Sequence, residues 1–277
     1  MAYESITVEN MSPACGAIIS GVDLAGGVSN QQFDEIHTAL LDRTVIIFRD
    51  QVLTETQHIE FTRRFGDLQP AAVSGFEKNV DYPEIDILEY DDSNPPHVTR
   101  DLWHTDFVGR EKPSMGTSLY ARNIPPEGGD TIWVNSAAAY EGLSDGMKAL
   151  VAPLKALHSG MATYERSLQS SDARKIDPSE IKPPHAHPIV RTHPESGKKS
   201  LFVNPHFTIG IEGMTDDESK AILDVLYTAA IQPENIYRHR WQPGDVLIWD
   251  NRSVMHYAVR DYTEDMPRKM HRTTAGG

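Results

Sequence analysis

The 277-residue chain holds one cysteine, Cys15. No intrachain disulfide can form, so no oxidising compartment is implied, and a small buried apolar residue is the role expected of Cys15. No apolar run approaches the roughly 20 residues of a membrane-spanning helix, and the first residues carry neither the basic nor the apolar region of a signal peptide. A cytoplasmic location without a membrane partner is the expectation. No Ser/Gly linker, low-complexity tract or internal repeat divides the chain, which is long enough to bury a substantial core, so a single domain over 1–277 is expected. Basic charge is scarce as well. With 26 Lys and Arg against 40 Asp and Glu the net charge is −14, which argues against general attraction to nucleic acid or to an anionic membrane. A small anionic ligand is still compatible, because a few arginines can make a positive pocket inside an acidic protein.

What is present reads mainly as short strands with peripheral helices. Ser29 and Asn30 precede Phe33, Ile36, Leu40 and Leu41 at helical spacing, and a β-branched run from Thr44 to Phe48 follows as a buried strand. Thr54 with Gln57 has the form of a capping box opening a helix that presents Ile59, Phe61 and Phe65 before Gly66. Further helices are expected at 144–151 and, with a Thr215/Glu218 box, at 215–229. Strands are expected at 85–88, 117–121, 131–134, 201–203 and 246–249. The turn-rich Pro125-Pro126-Glu127-Gly128-Gly129 between the second and third of these predicts that they pair antiparallel. Many short strands with few helices fit a double-sheet jelly roll, whose mouth can hold a metal between sheets. The loop-rich stretches 69–100 and 160–188 are candidate lid or specificity insertions.

The chemistry centres on His104-Thr105-Asp106, with His256 far downstream and Arg268 and Arg272 after it. On an extended strand, residues two apart point to one side, so an imidazole and a carboxylate can reach one metal that a distant histidine completes. Two histidines and a carboxylate on one face of an octahedral ion are the ligand set of non-haem Fe(II) oxygenases. A His-His-carboxylate set with an open position also serves zinc hydrolases, and a jelly roll could hold a metal as a sensor or binding module without catalysis. Ligand type alone leaves these readings open. His185 and His187 sit in a Pro-rich run and are read as a loop pair without a metal role. His158, His193, His206, His239 and His271 are read as scaffold, with His206 near the pocket through its neighbour Phe207.

The setting of the triplet is more specific than the triplet. Trp103-His104-Thr105-Asp106, Gly128-Gly129-Asp130-Thr131, Trp249-Asp250-Asn251-Arg252 before His256 and a basic cluster after it resemble the taurine dioxygenase-like (TauD/TfdA) family of Fe(II)/2-oxoglutarate-dependent dioxygenases. Family-like segments also occur at 16–24, 45–51, 63–66, 187–194 and 201–204, so the resemblance covers nearly the whole chain. It implies a double-stranded β-helix, His104, Asp106 and His256 as Fe(II) ligands, and O2 and 2-oxoglutarate as co-substrates. Arg268 would hold the far carboxylate of 2-oxoglutarate bidentately, with a hydroxyl hydrogen bond from Thr131. The stretch ending at Arg268 is one residue longer than in taurine dioxygenase, so the match is made on Met270-His271-Arg272.

For the substrate the resemblance implies Arg272 at the anionic group, the backbone N–H of Phe107, Phe207 in the pocket wall and Arg100 where the taurine enzyme has an asparagine. Ala71 and Ser74 stand where that enzyme has a histidine and a tyrosine on the sulfonate, which argues against taurine itself. The implied reaction is hydroxylation of a small organic anion, of the sulfonate, alkylsulfate or aryloxyalkanoate class, with 2-oxoglutarate going to succinate and CO2. A homo-oligomer, dimer or tetramer, is implied too.

Overall fold

Val45–Phe48 and Val246–Asp250 are buried along their whole length, and a period of two explains it. Ile46, Phe48, Val246 and Ile248 face a core shared with Ile36, Leu40 and Phe61 of two helices, whereas Val45, Ile47, Leu247 and Trp249 face one shared with Trp133, Tyr237 and Val254 of a second sheet. These segments are covered on both sides. The protein is described from a computed structural model for residues 3–69, 77–91, 102–161, 164–165, 181, 183–263 and 265–277, with the backbone alone at 77 and 78.

The large sheet has eight strands, in spatial order β1 (Thr7–Asn10), β2 (Ala17–Ser20), β3 (Val45–Phe48), β14 (Val246–Asp250), β6 (Gly116–Asn123), β16 (Arg268–Ala275), β5 (Asp86–Tyr90) and β4 (Glu77–Lys78). Its pairs are antiparallel except β2 with β3. A three-stranded sheet, β13 (Ile236–His239), β7 (Thr131–Asn135) and β15 (Val254–Ala258), packs on its inner face. A second three-stranded sheet is β12 (Thr208–Ile211), β8 (Lys155–His158) and β9 (His185–Pro188), and β10 (Val190–Thr192) pairs with β11 (Lys199–Leu201). The expected mainly-β, jelly-roll organisation is what the chain adopts.

Helices α1 (Asn30–Arg43) and α2 (Glu55–Arg63) cover the outer face of the large sheet, each opened by the capping box read in the sequence or by its equivalent, Ser29 with Gln32 and Thr54 with Gln57. Helices α3 (Ser136–Glu141), α4 (Asp145–Val151) and α5 (Asp216–Ala230) bury Ala139, Val151, Leu223 and Leu226 against Val134, Met255 and Ile211. The Thr215/Glu218 box caps α5, and Ser144 caps α4. Among the described residues no helix is long and apolar enough to cross a membrane.

Three expectations are overturned. The segments 117–121 and 131–134 do not pair with each other: β6 lies between β14 and β16, and β7 between β13 and β15. Residues 124–130 form a link too long for a tight two-residue hairpin, and it carries the chain from one sheet to the other. Nor do His104 and Asp106 share a strand, since His104 forms an isolated bridge with His256 and Asp106 begins a turn. The strand expected at 201–203 ends at Leu201, after which Phe202 N–H donates to Ile189 O at 2.7 Å. Much of 69–100 and 160–188, including Ala71, Ser74 and Arg100, lies outside the described residues.

Candidate metal and anion site

His256 sits on β15 with the same parity as Val254, so its ring enters the space between the sheets and lies 4.8 Å from that of Trp249. His104 is held opposite it by a reciprocal pair of backbone bonds, His104 N to His256 O at 2.9 Å and His256 N to His104 O at 2.7 Å. A directly opposed pair puts both side chains on one side, and the two imidazole centroids are 4.1 Å apart. The chain then turns: Thr105 Oγ1 donates to Val254 O at 2.9 Å, and Phe107 takes φ 54°, a left-handed conformation that is uncommon for a bulky residue. This bridge and turn, rather than a strand, aim Asp106 back at the histidines.

Asp106 Oδ1 lies 3.9 Å from Nε2 of His104 and 3.9 Å from Nε2 of His256. The three donor atoms lie within 4.8 Å of one another, close enough together to gather around one ion. Among the described residues, His104, Asp106 and His256 form the single group of His, Cys, Asp or Glu compact enough to hold an ion. The protonation states suit a cation. Nδ1–H of His104, in the tautomer that donates to Leu102 O at 2.7 Å, leaves Nε2 as a lone pair facing Asp106. Burial, reinforced by the neighbouring His104, pushes His256 down to about 3, so its imidazole is neutral at neutral pH. Burial would raise the Asp106 carboxyl, but His256, Arg272, His104 and a hydrogen bond from Thr117 outweigh it and hold the group below its usual range.

The carboxylate is itself oriented. Thr117 Oγ1, on the inner face of β6, donates to Asp106 Oδ2 at 2.7 Å; Asn251 Nδ2 donates to Thr117 Oγ1 and to Ser114 Oγ, both at 2.9 Å; Trp249 Nε1 donates to Asn251 Oδ1 at 2.8 Å. One oxygen of Asp106 is thereby occupied and the other is presented to the histidines. Thr117 and Asn251 were not singled out as site residues in the sequence, although Asn251 belongs to the quoted Trp249–Arg252 motif.

Arg268 opens β16 on the same face as Met270 and Arg272 and is buried. Its aliphatic stem lies over Gly129, where an added Cβ would stand 3.3 Å from Arg268 Cδ. Gly128 and Gly129 have φ 75° and 68°, and Gly129 N–H donates to Asp261 Oδ1 at 2.8 Å, so this corner needs glycine for conformation and for the arginine's passage. Thr131 follows at the head of β7, where its Oγ1 accepts from Trp241 Nε1 at 2.9 Å. A hydroxyl that accepts from an indole keeps its own proton to give to an anion.

The remaining sequence candidates divide. Phe207 stands 6.2 Å from the His104 ring, edge to face, and His206 stands 5.3 Å from the same ring. Phe107 is adjacent to Asp106 with its ring under the Arg110 guanidinium at 4.4 Å. Arg272 Nη1 is 3.9 Å from Asp106 Oδ1. Arg100 lies outside the described residues. His185 and His187 join His158 in a ring cluster that does not include the triad, where His187 Nε2 meets Arg110 O at 2.8 Å. Cys15 is fully buried, and burial pushes its thiol up to about 12, in keeping with an inert core residue.

Residues 7–274 match the model of the family described as taurine catabolism dioxygenase TauD, TfdA family. The chain is 32% identical to an alkylsulfatase of Acinetobacter baylyi over 280 residues, covering 99% of this chain and 86% of that protein. It is 30% identical over 284 residues to an alpha-ketoglutarate-dependent 2,4-dichlorophenoxyacetate dioxygenase of Cupriavidus pinatubonensis, covering 98% of this chain and 97% of the relative. The crystal structure of a taurine dioxygenase from Burkholderia xenovorans superposes with a TM-score of 0.82 at 34% identity, over 99% of this chain and 92% of that one. With the jelly-roll core, the His-Asp-His group and a family match running almost from end to end, the chain belongs to the taurine catabolism dioxygenase TauD, TfdA family.

Proposed function

We propose that this protein is an Fe(II)- and 2-oxoglutarate-dependent dioxygenase that hydroxylates an aliphatic carbon of a small organic anion of the sulfonate, alkylsulfate or aryloxyalkanoate class. His104, Asp106 and His256 hold the Fe(II), Arg268 and Thr131 hold the far carboxylate of 2-oxoglutarate, and Arg272, Phe107, Phe207 and Arg100 border the substrate. The reading rests above all on one juxtaposition: two imidazole nitrogens and a carboxylate oxygen within 4.8 Å of one another, in a family with alpha-ketoglutarate-dependent members. The breadth of the class follows from the relatives, whose names span alkyl sulfate, taurine and dichlorophenoxyacetate chemistry.

The bound iron, 2-oxoglutarate and O2 supply the oxidising power, with succinate and CO2 as co-products, while the protein contributes binding and orientation. Thr117 engages one oxygen of Asp106, so the carboxylate would offer a bound ion a single donor and would leave room for the co-substrate. Arg268 neutralises the distal carboxylate in a buried corner, where a guanidinium pair is strong. Arg272 adds a positive charge beside the triad, suited to an anionic substrate in an acidic protein. The whole of 1–277 acts as a single domain, a homo-oligomer (dimer or tetramer) in the cytoplasm.

Anaerobic addition of Fe(II) and 2-oxoglutarate should give a weak visible charge-transfer band that requires the three ligands and Arg268. Aerobic incubation should release succinate. Purified protein that gives neither the band nor succinate, even uncoupled from a substrate, would rule the proposal out. A succinate-release screen over sulfonates, alkyl sulfates and aryloxyalkanoates identifies the substrate class, and light scattering reads the assembly.

A further inference from the structure

Asp86 and Arg272 are direct cross-strand neighbours in the β5–β16 pair. Asp86 Oδ2 accepts from Nε of Arg272 at 3.1 Å and from Nη2 at 2.9 Å, while Nη1 of the same guanidinium turns to Asp106 Oδ1 at 3.9 Å. One edge of the arginine is therefore gripped from behind and one corner reaches the metal-binding group. Asp86 is only 3% exposed, and burying a carboxylate is costly even when it is paired. A merely structural position on β5 could have been filled by an apolar residue like its inner-face neighbour Leu88, which packs into the core between the sheets.

We propose that Asp86 is a positioning residue that aims Arg272 and, by offsetting its charge, makes the substrate pocket prefer a singly charged anion over a doubly charged one. The favoured groups are then sulfate esters, sulfonates and carboxylates, and the disfavoured ones are phosphate monoesters of the same chain. The inference rests on the dioxygenase reading only in taking Arg272 to border the substrate. The charge argument is differential. Removing one negative charge at a fixed place favours a dianion twice as much as a monoanion, whatever other groups surround the site.

The test is a binding titration without oxygen. Protein loaded with Fe(II) and 2-oxoglutarate is titrated calorimetrically with hexyl sulfate and with hexyl phosphate at pH 8, where the phosphate, with a second pKa of about 6, is a dianion. Wild type should bind the sulfate more tightly. Asp86→Asn should move the affinity ratio toward the phosphate on the order of tenfold, while the charge-transfer band stays in place. Asp86→Glu keeps the charge but displaces the guanidinium, so both anions should weaken at an unchanged ratio.

A lower thermal midpoint at an unchanged ratio is what a purely structural role predicts; if Asp86→Asn does not fold, Asp86→Ser, which removes the same charge with a smaller side chain, is read for the same shift in ratio. The inference is overturned if the ratio does not move in Asp86→Asn, if Asp86→Glu binds both anions as wild type does, or if wild type prefers the phosphate or binds neither anion. Failure of the dioxygenase reading shows separately, as wild type that makes no succinate in air.

Discussion

The two faces of the large sheet bury polar groups of the same kinds and put them to different ends. On β6, Ser118 points outward to His58 of α2, whose Nε2 lies 3.0 Å from Ser118 Oγ and 3.2 Å from Thr273 Oγ1; Thr62 and Thr273 are joined at 2.7 Å. One residue earlier, Thr117 points inward and holds Asp106. His58 and His256 are both pushed down to about 3, first by burial. The outer network runs among hydroxyls and ties a helix to the sheet. The inner one terminates on three donor atoms that face each other. A strand with a period of two can thus serve stability with one residue and chemistry with the next.

Removing an inner ligand should separate the two faces most sharply. Asp106→Ala should lower succinate formation by at least about 10^3-fold and abolish stoichiometric Fe(II) retention, because the ion loses its anionic donor. The thermal midpoint of the metal-free protein should hardly fall. An Asp106 variant that keeps iron and turnover would break the comparison at its root.

The next contrast is between neighbours. Thr117→Val removes the bond that orients Asp106 and should weaken Fe(II) binding by roughly 10- to 100-fold. Ser118→Ala should leave metal affinity unchanged and cost about 1 kcal/mol of stability in a urea melt. Equal effects of both changes on metal affinity would mean that the faces are not functionally distinct.

The outer face should also carry a pH signature. His58 has an ordinary value of 6.5 and is held down to about 3 in the fold, so the unfolded chain binds the extra proton between those limits. Its contribution is fully present above pH 6.5 and is lost as pH falls from there toward 3, with a slope of about 1.4 kcal/mol per pH unit. Urea melts of metal-free wild type at pH 5 and pH 7 should differ by more than those of His58→Gln, by up to about 2 kcal/mol. Parallel pH dependence in the two proteins would show that His58 is not the group responsible.

Much of this was legible in the chain. The ligand trio carries its own chemistry, the capping boxes at Thr54 and Thr215 are local, and the apolar runs at 45–48 and 246–249 announce strands covered on both sides. What was not legible depends on partners distant in sequence. The link 124–130 reads as a turn, yet whether it returns along one sheet or crosses to another is decided by which strands, 246–250 or 254–258, wait on each side. The bridge that aims His104 needs His256, and the grip on Arg272 comes from Asp86, 186 residues away. Thr117 is an ordinary strand residue until Asp106 and Asn251 are brought to it.

The smallest expected effect asks whether the inner face is one site or two ends of one. Trp241 and Trp249 both spend an indole N–H on the inner network, the first on Thr131 Oγ1 at 2.9 Å and the second on Asn251 Oδ1 at 2.8 Å. Phenylalanine keeps a six-membered ring but deletes the donor and three ring atoms; the cavity lowers stability, while the lost hydrogen bond is worth near 1 kcal/mol, or about fivefold in an affinity. Trp241→Phe should raise the KM for 2-oxoglutarate by about that factor with kcat and Fe(II) affinity unchanged, because it loosens Thr131 alone. Trp249→Phe should do the reverse, weakening Fe(II) while sparing the KM, because its path runs through Asn251 and Thr117 to Asp106. If each change disturbed both quantities alike, the anion corner and the metal centre would be mechanically coupled, and the separate roles given to Thr131 and Thr117 would have to be merged.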